Sequence, residues 1–370
     1  MTDRSRPIRV TLALASSTGG VGRHVRSLAE RLTADGHQVL VCGPAETDRV
    51  FDFQATGARF TPVEIQATPR PARDFTAVAA LRRATASAEI VHAHGLRAGL
   101  VAGLANRGRQ DQPLVVTWHN LSLASGLRQR VLGPLERMVA RSADITLVAS
   151  EDLAARASAL GARDVRFAPV AAPALPAAGV EPEKIRAELG ADGRPLVLSV
   201  GRLHQQKGFE VLVDAAARWR DRPGPPLVAI AGSGPAAAEL ADRADRASAP
   251  VTFLGRRDDV PALLAACDLA VVTSVWEARQ LFAQEALLAG KPLVATAVGG
   301  LPGLLGDGAM LVPAGDVDAV DRAVRALLDD PAEAARLAAK GRARATSWPT
   351  EYDTARQVAA VYAELLGLPA

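Results

Sequence analysis

Cysteine, lysine and aromatic residues are all scarce in this chain of 370 residues, and each shortage closes off a class of function. Two cysteines, Cys42 and Cys267, cannot build a disulfide scaffold, and without clustered partners they do not suggest a zinc site. Each ends an apolar stretch, so both are read as small buried side chains. Only four of the 43 basic residues are lysines, and 4% of the chain is aromatic. Dispersed arginines with few aromatics argue against nucleic acid as a partner. The net charge of +3 still admits anionic partners such as nucleotide phosphates or an acidic membrane surface. No apolar run approaches the roughly 18–20 residues of a membrane span. The basic N-terminus leads into a strand-length apolar stretch without a cleavage pattern, so a cytoplasmic protein is expected.

What the chain has in abundance is alternation of short β-branched runs with helical stretches, the pattern of parallel α/β folding. Strands are expected at 8–15, 38–42, 59–65, 90–93, 114–118, 145–149 and 165–168. After a Pro/Ala-rich linker at 169–182 they resume at 196–200, 227–231, 251–254, 269–273, 293–296 and 310–312. Between them, 21–33 and 127–140 show the clearest helical periodicity. The length suits two domains, expected at 1–172 and 173–347. A last amphipathic helix, 348–366, stops at Gly367 and Pro369 and is expected to pack back onto the first domain.

Ligands of open parallel sheets bind outside the carboxyl ends of strands, and four of the six histidines fall there: His24, His94, His119 and His204. They are expected to line a polar cleft, whereas His92 lies within a strand and His37 in a turn. The loop Thr18-Gly19-Gly20-Val21-Gly22 joins a strand to a helix. Its glycines suit close approach of a ligand to backbone N–H groups, or simply a tight turn. In Gly201-Arg202-Leu203-His204-Gln205-Gln206-Lys207-Gly208, Arg202 and Lys207 put two cations beside a helix start, which suits a diphosphate. The segment from Ser274 to Ala286 carries Glu277 in a strand-to-helix loop and Glu285 in the apolar helix that follows. A carboxylate there can accept hydrogen bonds from vicinal hydroxyls. Gly290-Lys291-Pro292 closes the segment, and Gly299-Gly300-Leu301-Pro302-Gly303 makes a second glycine turn.

These motifs, together with the turn Gly232-Ser233-Gly234, resemble the family 4 retaining glycosyltransferases, and the resemblance spans nearly the whole chain. It implies the GT-B fold: two Rossmann-like α/β domains facing across a cleft, with the chemistry between them. Gly20 would then approach the donor diphosphate, His119 would contact the transferred sugar, and Arg202 and Lys207 would neutralise the diphosphate. Glu277 would bind sugar hydroxyls and Glu285 the ribose. Gly232, Gly234, Leu254, Arg256, Gln280 and Leu281 join the donor side, where the backbone around Leu254 and Arg256 would read the base. His24 and His94 are the acceptor-side candidates. The resemblance implies a hexose moved from a nucleoside-diphosphate sugar to a hydroxyl of a lipid, glycan or small molecule, with retention. It implies no cofactor and no metal.

Two positions depart from the family pattern: Arg279-Gln280 replaces an aromatic and a glycine, and Val170-Ala171-Ala172 replaces an Asn-Gly pair. A side chain at 280 would crowd the amides that meet the sugar phosphate. A sugar-nucleotide epimerase of the same fold and a catalytically inactive glycan- or nucleotide-binding protein remain as alternatives. Asp316-Val317-Asp318 mimics a metal motif but opens a helix, so Asp316 is read as an N-cap. The helix around 127–141, with Arg130, Arg137 and Arg141 opposite Val131, Leu135 and Met138, is read as a core helix with a solvated basic face, or as a peripheral membrane contact.

Overall fold

The computed structural model describes residues 6–68, 70–121, 126–172, 175–176 and 178–369, with the side chains of 126–131 outside that description. It consists of two compact units, Met1–Pro173 with Pro349–Ala370, and Ala174–Trp348.

The first unit is built on β1 (Arg9–Leu14), β2 (Gln38–Gly43), β3 (Arg59–Pro62), β4 (Ile90–His94), β5 (Leu114–Trp118), β6 (Ile145–Val148) and β7 (Val165–Phe167). They lie in the order β3-β2-β1-β4-β5-β6-β7, every pair parallel. Every residue of β4, β5 and β6 is buried, as expected of strands covered by helices on both faces. β3 stops at Pro62, short of the expected 65, because Ile65 N–H turns back to the Val63 carbonyl at 2.9 Å. Val63 and Ile65 stay buried all the same.

The second unit carries β8 (Leu196–Val200), β9 (Leu227–Ala231), β10 (Val251–Gly255), β11 (Leu269–Val272), β12 (Leu293–Thr296) and β13 (Met310–Val312). Their order is β10-β9-β8-β11-β12-β13, again all parallel. Apolar side chains pack on both sides of this sheet, Phe282, Leu287 and Leu304 in one layer and Phe209, Leu212 and Trp219 in the other. Each sheet reverses its strand order beside its first strand, between β1 and β4 and between β8 and β11. Those are the places where a parallel sheet leaves a crevice for a ligand.

The C-terminal helix runs Glu351–Leu365, opened by a capping box between Thr350 and Asp353. It starts later than the expected 348. Trp348 stays in the second unit, its indole N–H donating to the Leu304 carbonyl at 3.1 Å. Ala355, Val358, Val361 and Tyr362 join the core of the first unit. Burying such a side chain stabilises by roughly 1.5–3 kcal/mol, which is what holds this distant segment on the sheet. Gly367, at φ +64°, ends the element.

Asp316 caps the helix Val317–Asp329, accepting from Ala319 N–H at 2.8 Å. Both cysteines are buried and unpaired, and burial pushes each thiol up to about 12. The helix Gly126–Ser142 forms, but Arg130 and Val131 of its expected basic and apolar faces lie outside the described side chains. Among the described residues no helix is long and apolar enough to cross a membrane.

Candidate functional site

In the first unit the reversal between β1 and β4 gathers histidines. His94 ends β4, His119 follows β5, and His24 comes from the helix Gly20–Ala34 that follows β1. Their exposures are 9% for His24, 2% for His94 and 8% for His119. His94 Nδ1 lies 3.3 Å from His119 Nε2, and the His24 ring centroid is 5.5 Å from that of His94 and 5.3 Å from that of His119. The fourth expected member, His204, belongs to the second unit, where its Nδ1 accepts from Gln206 N–H at 3.2 Å and caps a 3-10 turn. There its Nδ1 is held by a backbone amide of its own loop.

His92 takes a place the sequence reading withheld. Residues two apart on a strand share a face, and the His92 ring centroid lies 4.2 Å from that of His94, the two rings tilted by 31°. His92 Nδ1 meets the Tyr362 hydroxyl and Nε2 the Thr117 hydroxyl, each at 2.6 Å. The His-Ala-His spacing was the available signal for His92; nothing local pointed to Tyr362. Burial lowers His24 to about 4 and His92 to about 3, the latter helped by repulsion from His24. Burial and then their histidine neighbours hold His94 and His119 well below the usual imidazole range. Near neutrality the cluster is uncharged.

The glycine loop after β1 divides its labour. A Cβ on Gly22 would run into the Phe51 ring, whereas Gly19 faces open space. Ser17 Oγ accepts from Gly22 N–H at 3.1 Å. Gly20 is exposed at the first position of the helix.

In the second unit the reversal between β8 and β11 brings charges together. Lys207, in the turn after β8, places Nζ 2.5 Å from Glu277 Oε1 in the loop after β11. Ser274 Oγ donates to the same oxygen at 2.8 Å. The two loops are laced by Val275 N–H to Gln206 O at 2.8 Å and Gln206 Nε2 to Trp276 O at 3.0 Å. Gly208, at φ +60°, lies against the Thr273 carbonyl, and Gly299, at φ +52°, against that of Glu277, so that a Cβ at either would overlap an oxygen. Gly232 and Gly234 press in the same way on the carbonyls of Gly201 and Leu203. Small residues are needed here for backbone-to-backbone contact.

The remaining candidates are less confined. Arg202 is exposed; Arg256 is exposed with Asp258 at 3.5 Å. Leu254 packs at the edge of the core. Leu281 and Glu285 are half-buried on the helix Leu281–Leu288. Gln280, at its N-cap, is 7% exposed and its Oε1 has no hydrogen-bond partner. Arg279 lies over the Trp348 ring at 5.6 Å, and burial, reinforced by Arg344, lowers its guanidinium to about 10. Gln284, which drew no attention in the sequence, is buried one turn on and bonds the Gln280 carbonyl at 3.4 Å.

Comparison with known proteins divides the chain in the same way as its two sheets. Residues 19–173 match the family described as "Glycosyl transferase 4-like domain" and residues 194–330 that described as "Glycosyl transferases group 1". Glycogen synthase of Mycobacterium tuberculosis is 31% identical across 92% of this chain and 90% of its own length. The 2-deoxystreptamine N-acetyl-D-glucosaminyltransferase of Streptomyces fradiae is 34% identical over 67% of this chain and 64% of its own. In fold, HepE of Anabaena, solved in complex with UDP and glucose, superposes with a TM-score of 0.82 at 21% identity, covering 96% of this chain and 99% of that one. Two parallel sheets, their paired glycine-laced turns and a whole-length relative thus lead to one conclusion: the chain belongs to the family 4 glycosyltransferases of the GT-B fold.

Proposed function

We propose that the chain transfers a hexose from a nucleoside-diphosphate sugar to an acceptor hydroxyl with retention of configuration, in synthesis of a cell-envelope glycolipid, a polysaccharide or a small glycoside. The observation that carries this reading is the Lys207–Glu277 pair at the reversal between β8 and β11, within glycine turns that bring the backbone close. A lysine fixed there offers a cation to a departing diphosphate, with Arg202 free to reach it from solvent. Glu277, oriented by Lys207 and Ser274, presents its second oxygen to sugar hydroxyls. Glu285 holds the ribose. Gly20, at a helix start, meets the diphosphate. His119 contacts the transferred sugar, and His24 and His94 the acceptor. Positioning and charge stabilisation supply the rate; the reading calls for no metal. The relatives' names support a small polyhydroxylated acceptor: one names 2-deoxystreptamine, another D-inositol 3-phosphate. The HepE complexes with UDP and UDP-glucose support a uridine donor.

A thermal-shift screen with UDP, GDP, ADP and dTDP, then with their sugars, selects the donor. Incubation with that donor and an acceptor panel should release free nucleoside diphosphate, and proton NMR of the product should show the donor's anomeric configuration. An inverted product overturns retention; an isomerised sugar nucleotide without transfer replaces the reading with an epimerase. Gln280 favours one other reading, a protein that binds the donor without turning it over. Its buried amide stands where the family has glycine. Multiple turnovers by the intact chain exclude it.

A further inference from the structure

The histidines of the first unit have a property that sugar transfer leaves unused: three imidazoles converge with no carboxylate among them. One ring nitrogen from each of His24, His94 and His119 lies within 4.8 Å of the others. The closest pair, His94 Nδ1 and His119 Nε2, is 3.3 Å apart. Tetrahedral zinc, with Zn–N of about 2.0–2.1 Å, sets its ligand nitrogens about 3.3–3.4 Å apart. That edge is already in place, and closing the rest asks for a small movement of the His24 side chain.

The nitrogen of His94 on that edge is Nδ1; its Nε2, on the other side of the ring, is buried without a hydrogen-bond partner, and the residue is only 2% exposed. Behind it, His92 is fixed at both nitrogens by Tyr362 and Thr117, its ring tilted against that of His94. His24 also borders a pocket with Ser27, Glu351 and Thr354.

We propose that His24, His94 and His119 form a binding site for a borderline-soft divalent cation, zinc first, with a coordination position left for water or another small ligand. An all-imidazole set selects zinc, copper or nickel over magnesium and calcium, which prefer oxygen ligands. The ion takes no part in the proposed transfer. It occupies the lone pair of His119, so it inhibits.

The test uses the intact chain, freed of metal by chelation and titrated calorimetrically with zinc chloride. One equivalent should bind with micromolar affinity or better, and magnesium chloride should not bind. Cobalt(II) in place of zinc should give the intense visible bands of a tetrahedral site in the wild-type protein, a readout that needs no variant. His24→Asn and His94→Asn should each weaken zinc at least a hundredfold, while His204→Ala leaves it unchanged. Absence of zinc binding by the wild type, an octahedral cobalt spectrum, or equal zinc affinity in both asparagine variants overturns the site. Zinc should also stop sugar transfer, with recovery on adding EDTA. Tight binding without inhibition supports the metal site and overturns the placing of His119 on the transferred sugar.

Discussion

In the first unit the candidate residues are imidazoles, buried to between 2% and 9% exposure and held by packing and by one another. In the second they are a lysine and a glutamate 2.5 Å apart, held by turns whose glycines touch neighbouring carbonyls. Both arrangements sit where a parallel sheet reverses its order, so topology chose the places and the local chemistry diverged. The lysine and the glutamate of the second unit answer each other's charge; the rings in the first stay neutral because no carboxylate repays their desolvation. The difference teaches where each unit is vulnerable: the second through its backbone, the first through pH.

The largest effect should come from the glycine turns. Gly232→Val forces a branched side chain into the Gly201 carbonyl at φ +146°, and should cost more than about 4 kcal/mol or abolish folding of the second unit. Gly20→Val, at an exposed helix start in the first unit, should leave the melting temperature within a few degrees while abolishing transfer. Differential scanning calorimetry with an activity assay separates the two. A stable Gly232→Val protein would mean that the turn yields, and an active Gly20→Val would return that loop to the status of a turn.

Next in size is the ion pair. Lys207→Ala removes a charge-assisted contact worth roughly 1.5–3 kcal/mol to a bound diphosphate, so turnover should fall ten- to a hundredfold and nucleotide affinity with it. It also leaves Glu277, 7% exposed, without its cation, so some thermal stability should be lost. Unchanged UDP and GDP affinities, measured calorimetrically, would remove Lys207 from the donor site.

The first unit should instead fail in acid. His24 and His92 have their folded values lowered to about 4 and about 3. Between those values and the unfolded 6.5, the unfolded chain binds more protons than the folded one. Stability is therefore full above about pH 6.5 and declines as pH falls towards 4. For His24 alone the loss is on the order of 3 kcal/mol. Melting followed by near-ultraviolet absorbance from pH 7.5 to 4 checks it, with His24→Asn flattening the slope. A wild-type slope no steeper than the variant's would show that the ring is not buried neutral.

The same contrast explains what could be read from sequence. The thirteen strands were legible because most are apolar runs rich in β-branched residues between helical stretches; the short edge strands Arg59–Pro62 and Val165–Phe167 followed from the alternation. The second unit's site was legible because Lys207 and Glu277 belong to contiguous strand-to-loop motifs, with the glycines that shape them alongside. The first unit's cluster was only half legible. His24, His94 and His119 could be placed at strand ends, and the same rule placed His204, whose Nδ1 accepts from the Gln206 amide. His92 was dismissed as interior to a strand, although its spacing from His94 puts both on one face. Tyr362 meets His92 across 270 positions of chain, and only tertiary packing makes such a contact. Gln280 could be flagged as a departure, yet its burial with Oε1 unpartnered follows from the packing around the helix start, which no local pattern encodes.

That long-range contact gives the finest test of the comparison. Burial raises the Tyr362 hydroxyl well above the ordinary phenol range, so it stays protonated, and as donor to His92 Nδ1 at 2.6 Å it would set the tautomer of that ring. His92 must then carry its proton on Nε2, which donates to Thr117 Oγ1 at 2.6 Å. In that arrangement the C-terminal helix sets the tautomer of the ring that lies tilted against His94. Tyr362→Phe keeps the ring and its packing but leaves a buried lone pair unanswered, a cost of about 1–2 kcal/mol. The melting temperature of the first unit should drop by a few degrees. If His94 and His119 act in transfer, kcat should fall a few-fold while the donor KM, set by the second unit, holds. Nitrogen-15 NMR of labelled histidine should show the His92 tautomer becoming mixed. A pure tautomer with unchanged kcat and stability would mean that strand packing alone orients the histidines, and that the returning helix serves the core without serving the site.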